Sequence, residues 1–502
     1  MQKAEARVAK NTLFLYMRML LILLINLYTS RVILKTLGFD DYGIYSLVGG
    51  LVSLFAFMNS SLSGAASRFI SYTLGEGKGE GKTVFSTLLT IHSIVAIALV
   101  ILCETLGLIL FDHLVIPADR IIAAKITFHI SVAAAAINVL RIPYNASIIA
   151  HEDMKVFAYV SIAEVVLKLL IVFLLNVIVY DKLITYSWLF VGVVFIVSVI
   201  YFCYCIKSYS ETRCFLSFNS VKFKAILGYF SWDLYGNLSV VANAQGTNII
   251  LNLFGGVVVN SACAIANQVR GAVYGFASNF MLAMNPQIIK NYASGNVEDM
   301  LSLIKRGAIF SFMLLWCFTL PLLFETKYVL DLWLNDYPDY TITLTRLALL
   351  FSLIQSMYGS VNIGIHATGK IVKLSLIGGT TLLLSVLVSY VALKHHAPLW
   401  VPFAVNIIAV LINAFINPFI LHADLPKFRY IDYFVQVYLR MTVIAIITSV
   451  IPVLIYTFME SSFYRLILVF VTVFLSEILV LYFGILTTEE KHLVIDKLFH
   501  IK

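Results

Sequence analysis

The stretch YTLGEGKGEGKTVFSTLL, Tyr72 to Leu89, comes within one residue of the phosphate-cradling signature GxxxxGK[ST]. Read as that loop, it would commit the chain to a parallel sheet with a nucleotide at its edge. The signature needs a glycine five positions before Gly81, and that position is Glu76, straddled by Gly75 and Gly77. Such a loop also works only between a buried strand and a helix whose first amides hold the phosphates. Here the upstream flank is NSSLSGAASRFIS and the downstream flank is the long apolar run VFSTLLTIHSIVAIALVILC. The segment is therefore a short turn between two membrane spans, and no nucleotide is expected.

Composition supports that reading. Of the 502 residues, 61% are hydrophobic and 12% are charged, against roughly 25% charge in an ordinary soluble domain. Apolar runs near the roughly 20 residues that cross a bilayer recur along the whole chain. This predicts an all-α polytopic membrane protein. MQKAEARVAK leads into an apolar run with no small-residue cleavage site, so the first helix is expected to stay. The six cysteines fall in spans or in one internal loop, and neither a disulfide nor a metal site is expected.

Spans are placed near 11 to 36, 43 to 72, 84 to 111, 121 to 144, 156 to 180 and 184 to 206. A second set follows near 224 to 253, 257 to 285, 305 to 327, 341 to 366, 371 to 393 and 400 to 421, then two more near 436 to 459 and 462 to 486. That makes about fourteen, with boundaries good to about four residues. With the N-terminus inside, the cytoplasmic segments collect roughly 22 of the 35 basic residues, Lys78, Lys82, Lys222, Lys290 and Lys370 among them. Both termini are thus expected in the cytoplasm. The net charge of +8 reads as topology and attraction to lipid headgroups, with no nucleic-acid partner.

The two halves echo each other. Gly38, after span one, falls on Gly255, after span seven; Tyr72 in SYTLG falls on Tyr292 in NYASG; His151 and Lys155 share their spacing with His366 and Lys370. The offset stays near 215 to 220 residues, which predicts two pseudo-symmetric six-helix lobes joined as parallel repeats. The expected organisation is an N-lobe over 1–210, a cytoplasmic linker over 211–223, a C-lobe over 224–423, and two last helices with an amphipathic tail over 424–502.

The first segment, NTLFLYMRMLLILLINLYTSRVILKTLGFDDYGIYSLV followed by SRFIS, resembles the polysaccharide flippases of the multidrug/oligosaccharidyl-lipid/polysaccharide exporter superfamily. The resemblance covers roughly the first 160 residues best and otherwise rests on span number. It implies a MATE-like plan in a bacterial inner membrane and alternating access. The implied substrate is an undecaprenyl-pyrophosphate-linked oligosaccharide, carried to the periplasmic leaflet for O-antigen, capsule or exopolysaccharide assembly. It also implies polysaccharide polymerase and chain-length proteins as partners, H+ or Na+ as coupling ion, and no other cofactor.

Charges inside the spans are the candidate site. An arginine at the bilayer centre costs about 2.5 to 3.5 kcal/mol on insertion scales, so each retained one asks for a reason. Arginine also grips phosphate oxygens with two parallel hydrogen bonds. Arg270 lies close to the middle of span eight and Arg18 about 10 Å into span one. The bland alternatives are a buried ion pair for Arg270 and a headgroup contact for Arg18. Arg31 points about 220° away from Arg18 on the same helix, so it either needs a bend or snorkels outward. Arg68 lies in span two amid the small residues of NSSLSGAAS, while Arg346 is expected to snorkel. Glu164 and Lys168, four apart on span five, read as a mutually compensating pair. Asp233 and Glu104 either carry a coupling proton or pair with an arginine. Amides in spans seven and eight (Asn237, Asn243, Asn248, Asn267) suit either sugar hydroxyls or interhelical hydrogen bonds.

Two rival functions stay open. A drug or cation antiporter of the same superfamily would want acids in its cavity. A membrane glycan polymerase would want a long external loop with catalytic acids, whereas the largest expected one, Leu330 to Thr341, is short. The chain is not expected to be an enzyme.

Overall fold

The computed structural model describes residues 11–26, 56–110, 117–175, 180–213, 219–334 and 336–485, with scattered positions between 28 and 45. Among the described residues the regular structure is helical throughout. In chain order the helices are α1 (Asn11–Asn26), α2 (Ala56–Glu76), α3 (Gly81–Leu110), α4 (Ile121–Ala150), α5 (Met154–Leu174) and α6 (Lys182–Ser208). Then come α7 (Ser220–Ala293), α8 (Val297–Leu334), α9 (Thr341–Thr368), α10 (Leu374–Lys394), α11 (Val401–Asp424), α12 (Tyr430–Phe458) and α13 (Phe463–Phe483).

Helix α7 is two spans in one. Gly256 breaks it with φ 70° and ψ −170°, a combination open in practice to glycine alone. Cys263 on the second arm donates to Asn248 on the first at 3.1 Å, and Leu251 and Val259 share one apolar cluster. The arms therefore pack on each other. Two spans were expected here with a short turn between them; the turn is one glycine. Counted this way, the described residues hold the fourteen helices that the sequence predicts.

Among the described residues ten helices are long and apolar enough to cross a membrane; α2 and α7 are not among them. Both are rich in Ser, Asn and Gly, a composition that a span tolerates when much of its surface is screened from lipid. Several helices outrun their expected bounds. Helix α8 begins at Val297, where Glu298 and Asp299 face the positive end of its dipole, and runs to Leu334.

The chain packs as two compact units. Unit 1 comprises residues 1–238, 282–300 and 366–376; unit 2 comprises 239–281, 301–365 and 377–502. This division differs from the repeat-based one, because short stretches after position 224 pack with the first six helices. In unit 1, α4 is the central post against α2, α3, α5 and α6. Its core sets small residues (Ala66, Ala146, Ala150) against Phe85, Leu88 and Ile70, the mixture that lets helices approach closely without a hydrophobic drive from water. At one end Arg120 clamps Asp41 and Asp181, with contacts of 2.6 and 2.5 Å.

In unit 2, α10 packs on α11 and α12 on α13. The last pair is tied back to α8 by polar bonds. Arg465 grips Glu325 with two hydrogen bonds of 2.6 and 2.8 Å, and Trp316 donates to Thr448 at 2.9 Å.

Candidate functional site

Within unit 2, the middle of α7 faces α9 and α11 across a cavity of about 100 Å³. A single water needs about 10 to 15 Å³ by the same measure, so the cavity admits several waters or a small polar group. Its polar lining is Asn243, Thr247, Asn248, Asn267, Asn406 and Arg270, and Phe351 and Phe403 close its sides. Arg270 is the one charged residue in that lining. Its guanidinium carbon stands 5.2 Å from the centre of the Phe351 ring, and its Nε is buried with no hydrogen-bond partner among the described residues. No carboxylate pairs with it among those residues, which is the buried ion pair that the sequence left open.

The amides are partly committed. Asn243 donates to Asn406 and Ser385, both at 2.8 Å, and Asn406 donates to Thr247 at 3.2 Å. Asn267 donates to the Cys263 sulfur at 3.3 Å, and that sulfur donates to Asn248 Oδ1. The Asn248 amide nitrogen and the Asn267 carbonyl oxygen keep their capacity for a guest. The interhelical hydrogen bonds expected of these amides are thus present, and the network leaves a donor and an acceptor open beside a cation.

A second cluster lies in unit 1. Arg68 on α2 donates to the carbonyl oxygens of His366 and Ala367 at 3.2 and 3.4 Å. These carbonyls lie in the last turn of α9, at the negative end of its dipole, and that of His366 also accepts from the Gly369 N–H at 3.1 Å. The guanidinium also lies over Phe69, Tyr72 and Tyr229 at 4.5, 4.9 and 5.5 Å. A Cβ at Gly369, where φ is 77°, would come 2.5 Å from Arg68 Nη2, so the turn must be glycine to admit the arginine. Helix α2 runs to Glu76, four residues beyond its expected end, which sets Arg68 about 12 Å inside it.

Asp233 stands beside this contact, 8% exposed. Asn237 donates to its Oδ2 at 3.1 Å and also to Ser61 at 3.0 Å. His366 Nδ1 lies 3.9 Å from Asp233 Oδ1 and is hydrogen-bonded to the Tyr229 hydroxyl at 2.5 Å. Asp233 has no arginine or lysine partner among the described residues. Nearby, Glu152 on the α4–α5 turn binds Lys290 at 2.6 Å and also takes a hydrogen bond from Gln287.

The remaining candidates lie elsewhere. Arg18 stacks on Phe157 at 4.5 Å within unit 1. Glu164 and Lys168 form the expected pair at 2.7 Å, but Arg141 from α4 joins it at 3.0 Å, so one acid serves two cations. Arg141 was missed because it sits beside Pro143, where the sequence suggests a span ending; α4 instead continues through the proline to Ala150. Glu104 pairs with His129 at 2.8 Å, and no arginine among the described residues takes part. Arg346 donates to Thr326 at 3.2 Å. Arg31, Gly38 and the amphipathic C-terminal tail lie outside the described residues.

Outside the spans, burial is the largest influence on Glu211 and disfavours its ionisation, but the hydrogen bond from His151, a backbone hydrogen bond and the His151 charge together outweigh it and hold the carboxyl below its ordinary value. His151 also stacks flat on Tyr209, ring centres 4.0 Å apart. This fixes the loop that follows α6.

The chain matches no protein-family model and no curated protein sequence. Solved structures match it closely in fold. One is the outward-facing conformation of a multidrug resistance MATE family transporter of the MOP superfamily, at TM-score 0.73 and 15% identity over 84% of this chain and 97% of that one. Another is a MOP superfamily transporter from Pyrococcus furiosus Vc1 (DSM3638), at TM-score 0.70 and 14% identity over 84% and 96%; the reverse polarity of its binding pocket is said to suggest a different function. A mutant of the Vibrio cholerae MATE transporter VcmN matches at TM-score 0.66 and 14% identity over 86% and 99%. At such identity the likeness establishes the fold.

Proposed function

We propose that this protein is a transporter that carries a lipid-linked oligosaccharide on a polyprenyl pyrophosphate from the cytoplasmic to the periplasmic leaflet by alternating access. The observation that carries the reading is the cavity around Arg270. A permanent cation, an aromatic wall and free amide groups suit a guest that is anionic and rich in hydroxyls. An organic cation would meet repulsion there. The neighbour from Pyrococcus furiosus indicates that this fold accommodates pockets of more than one polarity. The sequence resemblance to polysaccharide flippases supplies the lipid-linked glycan as the specific cargo.

A MATE-like drug or cation antiporter is the second reading. It draws on the multidrug transporters that share the fold and on Asp233, a buried acid without an arginine or lysine partner among the described residues. Reconstitution separates the two. Proteoliposomes holding fluorescent undecaprenyl-pyrophosphate oligosaccharide should show leaflet transfer, and Arg270→Ala should slow it by roughly 10- to 100-fold, the worth of one hydrogen bond to a charged group. Arg270→Lys should restore part of the rate. No transfer by the unaltered protein, together with uptake of an organic cation, would select the antiporter.

A further inference from the structure

A buried guanidinium in a membrane protein pairs with a carboxylate or with backbone carbonyls, and Arg68 takes the second course, held by two carbonyls and three rings. One of those carbonyls belongs to His366, whose ring is the nearest titratable group to the unpaired carboxylate of Asp233. The hold on Arg68 and an ionisable pair therefore share a residue. The groups that face this point are Arg68 and Tyr72 from α2, Tyr229, Asp233 and Tyr292 from α7, and His366 from α9.

We propose that His366 and Asp233 form a proton-binding site that releases the carboxy end of α9 from Arg68. With His366 neutral, Nδ1 is paired with the Tyr229 hydroxyl and the residue's carbonyl holds the guanidinium. His366 is half-buried in the last turn of α9, beside the 369–373 turn that the charge bias places in the cytoplasm, within reach of a proton from that side. A proton taken from water onto Nδ1 fills the lone pair used by Tyr229, which gives up that bond. The new N–H turns to Asp233 Oδ1, 3.9 Å away, and forms an imidazolium–carboxylate pair. One proton enters, none leaves, and the site gains one positive charge. That charge is on the same residue that holds Arg68, and two like charges in a poorly screened place repel. The carbonyls at the end of α9 then lose the arginine. Return of the proton to water restores the Tyr229 bond and the closed contact. This supplies the coupling ion for the transport proposed above and rests on that reading for its purpose, though not for its test.

The test follows the contact itself in the full-length protein in nanodiscs, without substrate. Lys78→Cys, just past the end of α2, with Lys370→Cys, just past the end of α9, reports that contact by the rate of trapping with a short bifunctional thiol reagent. Glu80→Cys with Lys222→Cys, across a neighbouring pair in the same unit, serves as control for thiol reactivity and folding. The ratio of the two trapping rates should fall by about tenfold as the pH is lowered from about pH 8 to about pH 4, a range that covers a buried imidazole as well as an exposed one. In His366→Gln, which keeps an acceptor for Tyr229 but holds no proton, the ratio should stay flat. In Asp233→Asn the fall should move to lower pH, because the imidazolium loses its counter-ion. A flat ratio with His366 intact, a fall that survives in His366→Gln, or an unshifted fall in Asp233→Asn would overturn the proposal. A pH-dependent ratio in a protein that moves no lipid-linked glycan would leave this site standing and remove the transport reading.

Discussion

Three arginines inside the spans show how one residue type meets one problem in three ways. Arg465 is neutralised by Glu325, Arg68 by helix-end carbonyls and rings, and Arg270 stands with amides and Phe351. The first is structural. Glu325 is 1% exposed, so removing one partner strands a buried charge, and Glu325→Gln or Arg465→Met should destabilise the protein by about 3 to 5 kcal/mol. Replacing both together, with Glu325→Leu and Arg465→Met, should recover most of that loss; thermal unfolding in detergent, followed by intrinsic fluorescence, measures both. Glu211 gives a second prediction, with a defined sign. Its folded carboxyl titrates below the ordinary value of about 4.5, so it binds a proton more weakly when folded than when unfolded. The stability it contributes is full above that pH and disappears as pH falls through the lower folded value. Hydrogen exchange over residues 209–213 should therefore lose protection in acid, and Glu211→Gln should flatten that dependence.

At the scale of elements, α2 and α7 stand apart. They are too polar to pass as membrane spans by hydropathy, and they carry Arg68, Asp233 and Arg270. That coincidence has a physical cause: a span can hold serines, asparagines and charges only where protein or water, and not lipid, covers them. Low hydropathy was therefore a usable signal for the site in the sequence, stronger than the position of any one charge. The end of α2 also fits the end of α7 closely. A Cβ at Gly75 would lie 2.6 Å from the carbonyl oxygen and 2.7 Å from the Cα of Lys290, and backbone cannot step aside. Gly75→Ala should thus push these ends apart at a cost of about 1 to 3 kcal/mol. Disulfide trapping between Tyr72→Cys and Tyr292→Cys should fall at every pH.

For the whole molecule, the turns at 77–80, 151–153, 294–296 and 369–373 alternate along the chain with those at 117–120, 336–340 and 395–400. The bias of lysine and arginine predicts the first set in the cytoplasm. Single-cysteine variants of an otherwise cysteine-free protein test this. In intact cells Asp336→Cys should react with an impermeant thiol reagent, and Lys78→Cys should react only after the membrane is opened. The reverse pattern would invert the expected direction of transport. The repeat was legible only at its landmarks. His151 and His366 both sit at a helix carboxy end, as their shared spacing suggests. Their partners diverged, one binding Glu211 and the other Tyr229 and Asp233.

Apolar length and the bias of basic residues are one-dimensional properties set by the bilayer, and from them the chain alone determined its helical class, its number of spans and the suspicion attached to Arg270, Arg68 and Asp233. Which of those charges has a counter-ion depends on side chains from other helices arriving within a few ångströms, as Arg141 does at Glu164 and the end of α9 does at Arg68. No spacing along the chain encodes that arrival. Only the packed structure decided that Glu164 is shared, that Arg68 caps a helix, and that Arg270 lines a cavity with no carboxylate beside it among the described residues.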